Sequence, residues 1–204
     1  MKTIKTLGVA VAILVMSTSA FSQVSVNFGP KLGINYSRFS FSGADRKINN
    51  RYATGYQGGA FVRINIKRFY LQPEVLFNEK GSRLSFDSAP SNEPGRRISG
   101  KVRVQSLDIP LLLGFKLIDS ELFNLRISAG TWNSLLLRDR SAILNNLSPD
   151  ARFKRNQFGY QAGLGIDLAN LTLDARYEGG FEKIVPELGG RPGSFTFSVG
   201  FKLL

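Results

Sequence analysis

Ten ionisable side chains recur at alternate positions of otherwise apolar runs, and they are the first candidates for chemistry. Arg63 lies in "GAFVRINI", Glu74 in "LQPEVLF", Asp108 and Lys116 in "LDIPLLLGFKL", and Arg126 in "NLRIS". Asp167 lies in "GLGIDL", Asp174, Arg176 and Glu178 in "LTLDARYEGG", and Lys202 in "VGFKLL". Such a set could hydrolyse a substrate with carboxylates alone, conduct ions, or pair with itself. The chain has no histidine, which removes Ser/His and Asp/His catalysis. The acidic residues show no loop spacing of a calcium site. The set is therefore read as a structural charge network. No catalytic, cofactor-binding or metal-binding residue is assigned, and no enzymatic activity is expected.

The elements that must position these charges alternate with period two, the mark of strands with two different faces. Strand one sets Val26, Phe28, Leu32, Ile34 and Tyr36 against Asn27, Gly29, Lys31, Gly33 and Asn35. Strand two, near 53–66, sets Tyr56, Ala60, Val62, Ile64 and Ile66 against Gln57, Gly59, Arg63 and Asn65. Strand three sets Phe69, Leu71, Val75 and Phe77 against Tyr70, Gln72, Glu74 and Asn78. Strand four, about 101–117, sets Leu107, Ile109, Leu111, Leu113 and Phe115 against Asp108, Pro110, Gly114 and Lys116. Val102 and Val104 are out of phase with this pattern, which predicts a bulge near Gln105–Ser106. Four more runs follow, beginning at Phe123, Phe158, Leu171 and Phe195.

Eight strands of roughly ten residues each have the length a tilted strand needs to cross a bilayer. Lys67-Arg68, Ile118 to Leu122 and Ala169-Asn170 make short connections, while long polar stretches at about 38–52, 79–100, 133–156 and 180–193 make the others. Short turns at one end and long loops at the other are how transmembrane β-barrels are built. The fold class predicted is all-β: an eight-stranded antiparallel up-and-down transmembrane barrel with short periplasmic turns and long extracellular loops. A soluble lipocalin-like barrel would also alternate, and Gly130-Thr131-Trp132 resembles a lipocalin motif, but it lies mid-chain. Aromatics near strand ends (Tyr36, Tyr56, Phe77, Phe123, Tyr160, Tyr177, Phe195, Phe201) favour the membrane, where they form interfacial girdles.

Residues 1–22 have the layout of a secretory signal peptide: Lys2 and Lys5, an apolar stretch from Leu7 to Met16, and a small-x-small site at Ala20-Phe21-Ser22. Residues 23–204 then form one outer-membrane barrel domain, exported to the outer membrane of a Gram-negative bacterium. With no cysteine, no disulfide staples it. The 27 basic and 15 acidic residues give a net charge of +12. Much of the excess falls in the long loops, at Arg46, Lys47 and Arg51, at Arg96, Arg97 and Lys101, and at Arg138, Arg140, Arg152, Lys154 and Arg155. On an exported chain these cations suit lipopolysaccharide phosphates or another polyanion rather than nucleic acid.

An eight-stranded barrel has an interior that side chains just fill. A two-residue turn at Lys67-Arg68 would put Arg63 opposite Gln72 and diagonal to Glu74, within reach of an ion pair. A turn at Ala169-Asn170 would put Asp174 opposite Gly165 and Arg176 opposite Gly163, leaving room for long side chains. Pro73 and Pro110 must each cost a ladder bond or make a bulge, because a closed barrel has no edge.

The runs "FYLQPEVLFNEKGSR", "LDIPLLLGFKL", "ISAGTW", "FGYQAGLGIDL", "LTLDARYEGGF" and "FTFSVGFKLL" resemble the successive strand motifs of the Bacteroidota outer-membrane β-barrel domain family, the porin-family or PorT-like small barrels, over residues 24–204. The resemblance implies the same fold and says little about function; the balanced lumen charges and basic loops point to a structural or surface-interaction role with a plugged lumen. The resemblance also implies two alternatives, a narrow passive porin-like channel and a PorT-like factor in protein secretion or outer-membrane assembly. Expected partners are outer-membrane lipids and lipopolysaccharide, the barrel-assembly machinery during biogenesis, and an unidentified surface or secretion partner. No cofactor is expected.

Overall fold

A computed structural model of the chain describes residues 24–40, 49–88, 96–140, 155–181 and 191–203. The signal peptide expected over 1–22 and the loop cations Arg46, Lys47, Arg152 and Lys154 lie outside the described residues.

Eight strands follow one another in chain order: β1 (Val24–Ser40), β2 (Asn49–Ile66), β3 (Phe69–Ser88), β4 (Arg96–Asp119), β5 (Phe123–Arg140), β6 (Asn156–Leu168), β7 (Leu171–Gly180) and β8 (Arg191–Phe201). Each pairs antiparallel with its neighbour, and β8 returns to β1, pairing Lys31–Ser40 with Arg191–Gly200, to close the barrel. Closure satisfies every sheet edge, which an isolated sheet in lipid could not do.

The alternation has the physical consequence that the sequence implies. Leu32, Val75, Leu113, Leu164, Phe197 and their like stand exposed on the outer wall, while Asn35, Gln72, Glu74, Arg126 and Thr196 are buried inside. This arrangement is inside-out relative to a soluble barrel. The eight aromatics expected near strand ends are all exposed. Tyr177 and Phe195 touch at 4.9 Å between ring centroids, and Phe69 and Phe115 at 5.0 Å near the opposite rim.

The short-turn end is tightly laced. Ala169 N donates to Leu122 O at 3.0 Å, Lys116 N to Arg68 O at 2.8 Å, Lys202 N to Asn170 O at 2.7 Å and Leu203 N to Phe28 O at 2.8 Å. Ile66 pairs with Phe69, and Leu168 with Leu171, so both two-residue turns have the expected register. Lys67 (φ 55°) and Ala169 (φ 49°) occupy the left-handed region that glycine or asparagine prefers.

The strands correct the sequence reading in length. The described strands run from 10 to 24 residues, and much of the expected loop tissue is strand: β3 continues to Ser88, β4 starts at Arg96 and β5 continues to Arg140. Arg51, Arg96, Arg97, Lys101, Arg138 and Arg140 are thus strand residues rather than loop residues, and Arg155 sits just before β6. Beyond the lipid neither face of a hairpin is apolar, so period-two alternation stops marking strands that still exist.

The bulge near Gln105–Ser106 is present, but its cause differs from the one inferred. Gln105 pairs with Arg138 and Ser106 with Leu136, so the additional residue is Leu137 of β5. Val104 is buried in phase with Ser106 and Asp108, and β4 does not reverse phase there. An apolar residue need not face lipid in this barrel: Phe61, Tyr70, Leu76, Leu112 and Trp132 are also buried. At Pro73 and Pro110 the ladder loses bonds without a bulge. Pairing is interrupted between Phe61–Glu74 and Ile64–Leu71, and again between Pro73–Leu111 and Leu76–Asp108, with register kept across both gaps.

Candidate functional site

The barrel directs long side chains of β1 to β7 into a narrow lumen and gives them room with small residues on the walls they approach. Arg176 faces Gly163 and Asp174 faces Gly165, as the turn register requires. A Cβ on Gly165 would lie 2.5 Å from Asp174 Oδ1 and 2.6 Å from Arg126 Nη2, so the glycine leaves space that these charges use. On β8 the inward residues are Ser194, Thr196, Ser198 and Gly200.

Glu74 is the centre of the larger cluster. Arg176 grips it with two bonds, Nη1 to Oε2 at 2.9 Å and Nη2 to Oε1 at 2.8 Å. Lys31 Nζ donates to Glu74 Oε1 at 2.7 Å and lies 2.7 Å from Asp174 Oδ2, and Gln72 Nε2 also donates to Oε1. Asp174 is shared with Arg176 at 3.2 Å and Arg126 at 3.1 Å. Arg126 reaches Asp167 at 2.9 Å, and Asp167 accepts from Arg63 Nη1 at 2.8 Å. Thr172 Oγ1 accepts from both arginines, at 2.6 Å from Arg126 and 3.3 Å from Arg63. Seven charges from β1, β2, β3, β5, β6 and β7 are thus one continuous network.

A second cluster lies nearer the long hairpins. Lys80 Nζ donates to Glu178 Oε2 at 2.7 Å and Asp108 Oδ2 at 3.1 Å. Asp108 also accepts from Asn78 at 2.9 Å, from Ser106 at 2.8 Å and from Ser134. Aromatic faces back the cations. Tyr70 lies between Arg63 (5.3 Å) and Arg126 (5.5 Å), and Lys80 sits 4.8 Å from the Trp132 ring. Such contacts add attraction where water is excluded.

Among the described residues the buried charges are five carboxylates (Glu74, Asp108, Asp167, Asp174, Glu178) and five cations (Lys31, Arg63, Lys80, Arg126, Arg176). Two cations differ from those singled out in the sequence. Lys116 pairs at 3.0 Å with Asp119 at the short-turn rim, and Lys202 comes no nearer than 3.8 Å to Asp167. Lys31 and Lys80 take the inner positions. Lys31 lies on the polar face of its strand, but Lys80 falls in the stretch 79–100 that reads as loop, because alternation fades after Phe77. The partner expected for Glu74 is also corrected: Arg63 bonds Gln72 at 2.6 Å and turns to Asp167 instead. A diagonal neighbour was the only cation that hairpin register could supply, whereas Lys31 and Arg176 reach Glu74 across the lumen.

Residues 21–185 match the family profile described as outer membrane protein beta-barrel domain. The chain belongs to that family. Its apolar outer wall is accordingly the lipid-facing wall of an outer-membrane barrel, and the buried charges fill its lumen. Among solved structures, OprG from Pseudomonas aeruginosa is similar with a TM-score of 0.50 at 9% identity, over 87% of this chain and 92% of that one. Neisserial surface protein A is similar with a TM-score of 0.48 at 15% identity, over 88% of this chain and 99% of that one. At these identities the likeness concerns fold alone. No curated protein matches the sequence.

Proposed function

We propose that this outer-membrane barrel is a non-conducting structural and surface-interaction protein, with its lumen plugged by its own charges and its basic hairpins presented to the cell exterior. The observation that carries this reading is the continuous network from Lys31 through Glu74, Arg176, Asp174 and Arg126 to Asp167 and Arg63. A solute would have to break several buried ion pairs to pass, and removing one partner of such a pair typically costs about 3–5 kcal/mol. All five lumen carboxylates hold ion pairs, which supports a structural role for them over acid–base chemistry.

Planar-bilayer recordings of refolded protein test the proposal. No stable openings are expected, and steady unitary conductance would replace it with the narrow passive channel. The resemblance of the strand motifs to PorT-like barrels of Bacteroidota supports a second reading, a role in protein secretion or outer-membrane assembly. Loss of surface display of secreted cargo on deleting the gene would favour that role.

A further inference from the structure

Seven of the eight strands are tied together through the lumen, and β8 is not. Lys31 of β1, Arg63 of β2, Glu74 of β3, Asp108 of β4, Arg126 of β5, Asp167 of β6 and Asp174 of β7 each hold an ion pair to another strand. On β8 the inward residues Ser194, Thr196, Ser198 and Gly200 are all buried. None of the three hydroxyls bonds another protein group among the described residues. At Gly200 a Cβ would lie 2.7 Å from Thr172 Cγ2 and 3.0 Å from Phe61 Cε1, so the position admits no longer side chain.

The outer side of β8 adds little. Phe195, Phe197, Val199 and Phe201 are exposed to lipid, and Phe195 rests on Tyr177 of β7. What holds the strand is its two ladders, with Lys31–Ser40 of β1 and Leu171–Gly179 of β7. Pro192, the register partner of Phe39, has no N–H to give to its ladder. Gly193 and Gly200 bring no side chain to pack, which weakens a strand.

The lacing passes over β8 instead of through it. Lys31 Nζ on β1 reaches Asp174 Oδ2 on β7 at 2.7 Å, although β8 stands between these strands. Lys31 also holds Glu74, and Arg176 of β7 grips the same carboxylate. With β8 displaced, these bonds would still tether β1 to β7. Moving any other strand out of the wall breaks a buried ion pair, which is costly. Moving β8 breaks ladder bonds and one ring contact.

We propose that β8 is a gate strand, which leaves the wall and returns while the other seven strands stay locked by the lumen network. The opening is lateral and exposes the backbone edges of β1 and β7. The proposal rests on the same network as the plugged-lumen reading, but the two fail separately. Steady conductance would remove the plug, whereas uniform hydrogen exchange would remove the gate.

Residue-resolved hydrogen exchange of refolded full-length protein in detergent micelles is the test. Amides of Phe195, Phe197 and Val199 are expected to exchange at least about tenfold faster than those of Val75, Phe77 and Leu113. A local opening exposes little surface, so the β8 rates should stay nearly flat in dilute urea while the β3 and β4 rates rise. The chain has no cysteine, so an introduced disulfide is unique. Ala175 and Phe197 are register partners on the outer face of β7 and β8, as are Leu113 and Ala129 on β4 and β5. Oxidised A175C/F197C should slow β8 exchange at least about tenfold relative to its own reduced form. Oxidised L113C/A129C should leave it as it was. Equal rates and urea slopes in β3, β4 and β8 overturn the gate. So does β8 exchange that the first disulfide fails to slow, or that both slow equally. Should a variant fail to fold, the wild-type rates and slopes decide alone.

Discussion

Glu74 shows how much one lumen side chain holds. It takes two bonds from Arg176, one from Lys31 and one from Gln72, so it ties β3 to β7 and β1 at once. Replacing Glu74 by Gln leaves both cations buried with only Asp174 of their two shared carboxylates still charged. We expect E74Q to lower unfolding free energy in detergent by about 3 kcal/mol, read by urea titration of the single tryptophan, Trp132. Lys116 makes a sharp comparison, because its rim pair with Asp119 is partly exposed. K116M should cost less than about 0.5 kcal/mol. Equal losses in the two variants would contradict the distinction between inner and rim charges. Both residues lie on the polar face of their strands, so sequence alone treats them alike. Depth in the lumen separates them, and depth follows from closure of the barrel.

At the scale of strands and turns, the walls were readable where lipid and lumen impose opposite chemistry on alternate residues. Eight strands, their order and both two-residue turns follow from that contrast. It failed where the contrast ends. Lys80 and the upper halves of β3 and β4 looked like loop, and Val104 looked outward because it is apolar. Cross-lumen partners were beyond reach for another reason: hairpin register relates neighbours only, whereas Lys31 and Arg176 meet Glu74 from β1 and β7. Two substitutions probe the elements themselves. Gly165 gives its space to Asp174 and Arg126, so G165V should displace both and cost at least about 3 kcal/mol in the same titration. Ala169 at φ 49° carries a left-handed conformation that a Cβ disfavours. A169G should stabilise by up to about 1 kcal/mol, less what glycine adds to unfolded-chain entropy. A destabilised A169G would show that the turn does not hold this conformation.

For the whole molecule, the separation of charge is the organising fact. Five acids and five bases cancel among the buried described residues, so the plugged core adds nothing to the net +12 of the chain. The two populations should respond differently to salt. Raising ionic strength from about 0.05 M to about 0.5 M shortens the Debye length about threefold. It should leave the unfolding midpoint of the barrel in non-ionic detergent nearly unchanged, since buried pairs are poorly screened. Binding to anionic vesicles should fall steeply over the same range. A large salt effect on the unfolding midpoint would mean that the lumen is open to solvent ions.

The long reach of the lumen bonds also governs time. Arg63 and Asp167 are 104 residues apart, Glu74 and Arg176 are 102, and Lys80 and Glu178 are 98. A sheet of the first four strands alone lacks every one of these partners on β6 and β7. A half-built sheet inserted in lipid would leave Arg63 without Asp167, Glu74 without Arg176 and Lys80 without Glu178, a state of high energy in a medium without water. Insertion therefore has to wait for the C-terminal strands and proceed together with closure. Such non-local pairing makes folding slow, and the same bonds, once made, block the way back.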